Sequence, residues 1–288
     1  MKLSMLRVFF LLHALSVFAV ASNSVVNMSH YDLMRPDFVT MKSEGIVGVI
    51  HEATYPSFQR DSQYVLRQQA AARAGLLWGA YHYANGTDPI RQADHFLSVV
   101  SGAQALAGSS SQPPGVLLVL DFEKNEHGHY PGGTMRVDQA VAFVERIHER
   151  TGKYPGLYSG EYYLKQVLNS PKVSLAYKRV LLNCWLWIAN YHYEPRATAP
   201  WSVWDLWQYC GDGKCDLPRS SFPKSIANIT KAERNIFRGD RAALEAFWQG
   251  RAWQPGGEKR RRESERTLTA DLEASGPAAK PALSETLR

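Results

Sequence analysis

Residues 115–130, GVLLVLDFEKNEHGHY, contain five consecutive apolar residues that lead directly into two acids, Asp121 and Glu123. An apolar run of this length, entered from a loop rich in Ser, Pro and Gly, predicts a strand buried on both faces. Residues two apart in a strand point to the same side, so Asp121 and Glu123 are expected to share one face. The carboxyl ends of strands form the site face of α/β folds. The stretch therefore predicts both a fold class and the place of a site.

Strand-like and helix-like segments alternate on both sides of this stretch. Further strands are predicted at residues 45–53, 76–84, 154–160 and 184–191, and helices at residues 61–75, 89–103, 135–152 and 237–250. Such alternation, with continuous apolar strands, predicts an α/β protein whose sheet is covered by helices. The length favours an irregular TIM-like (β/α) barrel with fewer helices in its C-terminal part, although spacing alone does not separate a barrel from an open sheet.

The amino-terminal residues 1–21 have the composition of a secretory signal peptide. Lys2 and Arg7 precede an apolar run that ends in small residues, with a cut expected after Ala21. The run is shorter than a membrane span. We therefore expect a secreted or periplasmic protein without a stable membrane anchor.

The mature chain is expected to form one domain, residues 22–250, followed by a tail. A chain of 288 residues that is 45% hydrophobic can bury one sizeable core. From Gln254 onward the sequence is polar and charged and has no aromatic residue. Residues 251–288 are therefore predicted to be a disordered charged tail.

Charge and cysteine content narrow the classes of function only slightly. The net charge of +6 suits an anionic partner such as a bacterial wall polymer, and no pattern indicates nucleic-acid binding. Cys210 and Cys215 bracket the loop GDGK and can form a small disulfide in an oxidising compartment. Cys184 is left over, and the spacing of the three does not suggest a zinc site.

Paired carboxyls at the end of a buried strand suit acid–base chemistry. Two carboxyls held close in a partly dry cleft raise each other's proton affinity, so one can stay protonated as a general acid. Cleavage of a glycosidic bond needs such an acid and a second group that stabilises the oxocarbenium-like centre. Two alternatives stay open: Asp121 and Glu123 merely end a strand, or they bind a metal with His127 and His129.

Side chains suited to a sugar recur at the ends of other predicted strands. Aromatic rings stack on the apolar face of a pyranose, while hydroxyl and amide groups bind its substituents. The candidates are Tyr81, Tyr158, Trp187 and Gln208. Their recurrence at several strand ends predicts a sugar-binding cleft around the two acids.

The ordered motifs GVIHEAT, GAYHYA, LLVLDFE, YPGLYSG, LWIANY and WDLWQY resemble those of the glycoside hydrolase family 25 lysozymes, the Chalaropsis-type N-acetylmuramidases. The resemblance covers residues 25–248. It implies an irregular (β/α) barrel that hydrolyses the β-1,4 bond between N-acetylmuramic acid and N-acetylglucosamine in peptidoglycan. It implies no metal or organic cofactor. The expected partners are peptidoglycan glycan strands, and we expect a monomer.

By this resemblance Glu123 is the general acid and Asp121 is the acid that assists it. Asp121 would either stabilise the oxocarbenium-like centre or orient the substrate's acetamido group. Substrate assistance of that kind is an exception to the two-carboxylate scheme, so spacing does not predict the stereochemical outcome.

The sequence departs from the family pattern at several site positions. Asn27 replaces the Asp that usually opens the first strand, Glu52 replaces a Lys, and Tyr55 replaces an acidic or amide residue. The late Asp of the family corresponds to Glu233, with Asp216 as a rival for that position. Asn27 keeps the shape of Asp but removes a negative charge from the predicted site. A second hypothesis is therefore a catalytically weakened barrel that binds peptidoglycan.

Overall fold

The computed structural model describes residues 22–31, 35–106, 115–125, 128, 130–196 and 198–255. The predicted signal peptide, His127 and His129, and all of the predicted tail beyond Pro255 lie outside the described residues. Among the described residues, no helix has both the length and the apolar character needed to cross a membrane.

Strands and helices alternate through most of the described chain. The strands are β1 (Ser22–Met28), β2 (Gly48–Tyr55), β3 (Gln59–Arg60), β4 (Leu77–Tyr83), β5 (Val116–Asp121), β6 (Gly156–Gly160), β7 (Trp185–Ala189), β8 (Leu206–Cys210) and β9 (Glu233–Phe237). The helices are α1 (Phe38–Ser43), α2 (Tyr64–Arg73), α3 (Pro89–Leu106), α4 (Val137–Thr151), α5 (Glu161–Leu168), α6 (Leu175–Leu181) and α7 (Arg241–Arg251).

The sheet closes into a barrel. Parallel pairings run from β1 through β2, β4, β5, β6 and β7 to β8, and β9 completes the ring by pairing antiparallel with both β8 and β1. The short β3 forms a hairpin with β2 outside the ring. In the described residues no helix connects β7, β8 and β9. The predicted irregular barrel with fewer C-terminal helices is therefore confirmed.

Alternation along each strand divides the core into an inner and an outer layer. The inner layer fills the barrel and includes Val25, Ile50, Leu117, Val119 and Trp187. The outer layer packs against the helices and includes Val26, Val49, Leu118, Leu120 and Leu186. All six residues of β5 are buried, as the apolar run predicts for a strand that contributes to both layers.

Helix α7 closes the amino-terminal end of the barrel. The Trp248 indole nitrogen donates to the carbonyl of Trp78 at 3.0 Å. A Cβ atom at Gly48 would lie 2.5 Å from the Trp248 ring, so the packing requires glycine there. The opposite, carboxyl end of the barrel is left for the site.

Element boundaries differ from the sequence predictions by a few residues, and three differences matter most. The final helix begins at Arg241, not at residue 237, because Asp240 caps it by accepting from the Ala243 amide at 2.8 Å. The fold also extends beyond residue 250, since the backbones of Val116 and Trp253 exchange two hydrogen bonds of 2.8 Å. Strand β5 ends at Asp121, so Glu123 follows the strand rather than belonging to it.

Candidate active site

A cavity of about 1110 Å³ opens at the carboxyl end of the barrel. In a strand, a side chain two residues after an inward-pointing one also points inward. Asn27, Glu52, Asp121 and Gln208 each follow an inner-layer residue by two positions, so they point inward at the carboxyl end of the barrel. The cavity is lined by every predicted site residue: Asn27, Tyr81, Asp121, Glu123, Tyr158, Trp187, Gln208 and Glu233. The structure therefore brings together residues that are spread over most of the chain.

The segment after β5 is held so that Glu123 joins Asp121 at the cavity. The Phe122 amide donates to the Tyr158 carbonyl at 2.9 Å, and the Ser159 hydroxyl donates to the Phe122 carbonyl at 2.8 Å. Phe122 is fully buried in the outer layer. Because Phe122 points outward, its neighbours Asp121 and Glu123 both line the cavity.

Asp121 is buried in a strongly acidic environment. Its side chain is 6% exposed, and Oδ1 has no hydrogen-bond partner among the described residues. Burial, followed by the negative charges of Glu123, Glu52, Asp212 and Glu233, raises the pKa of Asp121 well above its ordinary value. Interacting carboxyls titrate as a unit, so this part of the cavity retains a proton at a pH where an exposed carboxyl would be ionised.

Asn27 lies at the centre of a network of amide groups on the other side of the cavity floor. Its Oδ1 accepts from Gln208 Nε2 at 3.1 Å and from Asn235 Nδ2 at 2.9 Å. Its Nδ2 donates to Oε2 of Glu233. Both polar atoms of the Asn27 side chain are thus hydrogen-bonded within the protein.

Aromatic side chains extend this network. The Tyr158 and Tyr191 hydroxyls donate to Gln208 Oε1 at 2.6 and 3.0 Å, and Trp187 Nε1 donates to Asn235 Oδ1 at 2.8 Å. Burial raises the pKa of both tyrosines, which keeps them protonated as donors. These partners fix the orientation of the Gln208 and Asn235 amides. Trp187, only 2% exposed, contributes an apolar wall rather than an available donor.

Glu52 lines the cavity with its carboxylate, where the family pattern has Lys. His30 Nδ1 lies 3.0 Å from Glu52 Oε2 and 3.0 Å from Asp61 Oδ2. Ligand atoms of these residues lie within 4.8 Å of one another, so the three can hold a metal ion. A hydrogen on His30 Nδ1 that is shared between the two carboxylates accounts for the same short distances without a metal ion. Tyr55 stacks on His30, with ring centroids 5.2 Å apart.

The two walls of the cavity differ in chemistry. One wall carries Tyr31, Tyr83 and Tyr130, with the Tyr31 and Tyr130 hydroxyls 3.2 Å apart. The other wall is formed by residues 211–232, which begin inside a disulfide between Cys210 and Cys215. The third cysteine, Cys184, is buried and free.

The structure distinguishes between the two candidates for the late acidic position. Glu233 lines the cavity and is hydrogen-bonded to Asn27. Asp216 is exposed, and its Oδ2 lies 2.7 Å from His192 Nδ1 instead. Glu233, and not Asp216, is therefore the acid that faces the site.

Three site residues, Glu52, Asp212 and Asn235, were not predicted from the sequence as part of the site. The position of Glu52, two residues after Ile50 in an apolar strand, is a signal that indicates an inward side chain. Asn235 gives no such signal because β9 is short and its first three residues are all polar. Asp212 lies in a loop, where no periodic pattern indicates which way a side chain points.

Comparisons with known proteins agree with this geometry. The sequence model of Glycosyl hydrolases family 25 matches residues 26–216. Among curated proteins, Lysozyme M1 of Streptomyces globisporus is 24% identical over 207 residues, 68% of this chain and 66% of that protein. The autolytic lysozyme of Clostridium acetobutylicum is 38% identical over 66 residues, 23% of this chain and 20% of that protein. The chain thus spans less than two thirds of the length of these relatives.

Solved structures share the barrel. The bacterial lysozyme from Streptomyces coelicolor superposes with a TM-score of 0.60 at 22% identity, covering 79% of this chain and 97% of that one. The muramidase from Acremonium alcalophilum has a TM-score of 0.58 at 22% identity, covering 78% and 98%. At this level of identity the similarity demonstrates a common fold.

Proposed function

The chain belongs to glycosyl hydrolases family 25, and on that basis we propose that it is an exported, monomeric muramidase. It would hydrolyse the β-1,4 bond between N-acetylmuramic acid and N-acetylglucosamine in peptidoglycan. The observation that carries the proposal is the pair Asp121 and Glu123, which line one large cavity at the carboxyl end of β5. The names of the relatives, lysozyme and muramidase, support the substrate class.

Glu123 is the general acid in this mechanism because it is the more accessible carboxyl of the pair. It transfers its proton to the glycosidic oxygen as the bond from C1 to that oxygen breaks, and the leaving sugar departs as an alcohol. Water then adds to C1 and returns a proton to Glu123. Asp121 either stabilises the positive charge at C1 or orients the acetamido group that assists.

The other predicted site residues bind and position the glycan in this proposal. Tyr81 offers a ring at the cavity surface. Asn27, Gln208 and Glu233 hold the floor in one arrangement through the amide network. Tyr158 and Trp187 form the buried wall beneath. No cofactor takes part.

A second candidate is a barrel that binds peptidoglycan but cleaves it weakly. The observation that favours it is Asn27, an uncharged residue where the family has Asp. Both polar atoms of its amide are hydrogen-bonded within the protein, so the floor keeps its shape with one carboxylate fewer.

The deciding experiment measures release of reducing ends from purified peptidoglycan by residues 22–288, with product masses. Glu123→Gln is expected to lower the rate by about 10²–10⁴-fold, the usual contribution of a general acid. Glu145→Gln, the same substitution at an exposed acid on α4 outside the cavity lining, is the matched control and is expected to change the rate less than about threefold. An undiminished rate in Glu123→Gln would refute the assignment. Binding to sedimented peptidoglycan without any cleavage would favour the second candidate.

A further inference from the structure

The wall formed by residues 211–232 concentrates positive charge at the cavity. This segment contains four basic residues, Lys214, Arg219, Lys224 and Lys231, and all four line the cavity. We refer to these four as the cationic rim. Every Lys or Arg side chain that lines the cavity within the described residues belongs to it.

The first part of the rim is built into a constrained hairpin. Asp212 and Gly213 both adopt left-handed backbone conformations, with φ of 50° and 72°, as a two-residue hairpin turn requires. Gly211 and Lys214 exchange backbone hydrogen bonds of 3.2 and 2.7 Å across this turn. The disulfide encloses the hairpin, so Lys214 projects from a rigid support.

The rest of the segment is attached to the barrel. The Tyr209 hydroxyl donates to the Pro223 carbonyl at 2.7 Å, and Arg234 donates to the Ser225 carbonyl at 2.6 Å. The backbone of Lys224 accepts from Ala232 at 2.8 Å. The rim therefore occupies a defined place before any ligand binds, which lowers the entropic cost of binding.

The charges of the rim are not neutralised by neighbouring acids. Lys214, Arg219 and Lys231 are exposed and Lys224 is half-buried, and none forms an ion pair among the described residues. The floor beside them is acidic and repels anions, whereas the described residues of the tyrosine wall include no Lys or Arg that lines the cavity. An elongated ligand that is neutral over the floor and anionic at its side would match this distribution of charge.

We propose that the cationic rim binds the carboxylates of the peptide stems that peptidoglycan carries on its muramic acid residues. The inference rests on the proposed function, because it takes peptidoglycan as the substrate. The sugar rings at the cleaved bond carry no charge and can lie over the acidic floor. A stem has to leave the cavity past one of its walls, and among the described lining residues only this wall offers Lys and Arg partners for carboxylates.

The test uses two variants of residues 22–288 and three substrates. In the rim variant Lys214, Arg219, Lys224 and Lys231 are all replaced by Gln. In the control variant four basic residues outside the cavity lining, Arg150, Lys172, Lys178 and Arg179, are replaced by Gln. The substrates are intact peptidoglycan, glycan strands freed of stems by an amidase, and peptidoglycan whose carboxyls have been amidated with methylamine.

On intact peptidoglycan the rim variant is expected to lose about tenfold in kcat/KM, mainly through KM, since exposed ion pairs contribute about twofold each. On stem-free and amidated substrates it should match the parent within about twofold. The control variant should match the parent on all three. An equal loss on all three substrates, or no loss on intact peptidoglycan, would overturn the proposal.

Binding separates failure of this inference from failure of the proposed function. Sedimentation with each substrate is measured in the Glu123→Gln background, where turnover does not interfere. Weaker binding of the rim variant to intact peptidoglycan alone supports the inference even if the parent cleaves nothing. If the parent cleaves stem-free strands and the rim variant binds every substrate like the parent, the proposed function stands and the inference fails.

Discussion

The two halves of the cavity floor differ in how the polar atoms of their side chains are hydrogen-bonded. At the end of β5, Asp121 is buried, one of its carboxyl oxygens has no hydrogen-bond partner among the described residues, and its pKa is raised. At the ends of β1, β8 and β9, Asn27 uses both of its polar atoms in hydrogen bonds to Gln208, Asn235 and Glu233. We call these the carboxyl half and the amide half.

The difference indicates that the two halves have different roles. An unsatisfied buried carboxyl destabilises the folded state and is retained where a ligand or a reaction requires it. A satisfied network fixes side-chain orientation and stabilises one arrangement of the floor. The carboxyl half is therefore suited to chemistry and the amide half to positioning, and variants of each half should differ in kind as well as in size.

The largest effect is expected for Asp121→Asn. We expect a loss of at least about 100-fold in cleavage rate, because the assisting carboxyl is removed. The stability of the folded protein, in contrast, should increase near neutral pH. The raised pKa means that folded protein binds more protons than unfolded protein, so parent stability falls as pH rises from about 4, the ordinary carboxyl value. The variant has no carboxyl group at residue 121, so it does not lose stability with rising pH for this reason.

Thermal unfolding of Asp121→Asn and parent at pH 4 and pH 7 checks the sign. The variant should melt higher than the parent at pH 7, and the gap should shrink toward pH 4, where Asp121 stays protonated in the folded state and is about half protonated in the unfolded state. A variant that melts lower than the parent at pH 7 would contradict the view that the carboxyl half is destabilising.

An intermediate effect is expected for Asn27→Asp in the amide half. The new carboxylate can still accept from Gln208 and Asn235, but it faces Glu233 where the amide donated a hydrogen bond. We expect a loss of about 1–3 kcal/mol in the free energy of unfolding near neutral pH, measured with urea. Two facing carboxylates raise each other's pKa, so stability should be regained as the pH is lowered.

The double variant Asn27→Asp with Glu233→Gln is the matched control. In the double variant the carboxylate is at residue 27 and the amide at residue 233, so a hydrogen-bond donor again faces a carboxylate. The free energy of unfolding should therefore return toward the parent value. Cleavage activity of both variants also bears on function. Activity that appears only when residue 27 is Asp would support the weakened, glycan-binding barrel.

The smallest effect is expected for Trp187→Phe, compared with Trp201→Phe. Each variant loses one buried indole hydrogen bond of 2.8 Å, from Trp187 to Asn235 or from Trp201 to the Cys184 carbonyl. Each should cost about 1 kcal/mol in the free energy of unfolding. Only Trp187→Phe should also raise KM, by about threefold, because Trp201 belongs to the outer layer. Equal KM values would show that the amide half has no positioning role.

Much of the fold was predictable from local patterns. The apolar run of β5 and the alternation of strands with helices indicated a sheet covered by helices, because burial on both faces leaves a continuous apolar strand. The length and the family resemblance favoured a barrel over an open sheet. Prediction was less successful at α5 and α6, which were missed. Their segments, Glu161–Leu168 and Leu175–Leu181, are short and lack a long apolar stripe.

The site was predictable as a set of residues but not as a set of contacts. Strand-end chemistry and the family motifs pointed to Asp121, Glu123 and Asn27. Only the structure showed that Glu52 faces the same cavity with a carboxylate. The cationic rim was also missed, because its four residues occur in an aperiodic segment in which the pattern does not predict direction.

The sequence alone indicated where several of the strands lie, which acids follow the apolar run of β5, and which family the chain resembles. The strands follow from the spacing of a few residues, and the family follows from the resemblance of the ordered motifs. Tertiary structure decided which polar groups satisfy one another. Asn27 meets Gln208 across 181 residues and Glu233 across 206, and these contacts form only because β9 closes the ring between β8 and β1. Barrel closure therefore separates the hydrogen-bonded amide half from the carboxyl half, where one oxygen of Asp121 has no partner in the described part of the chain.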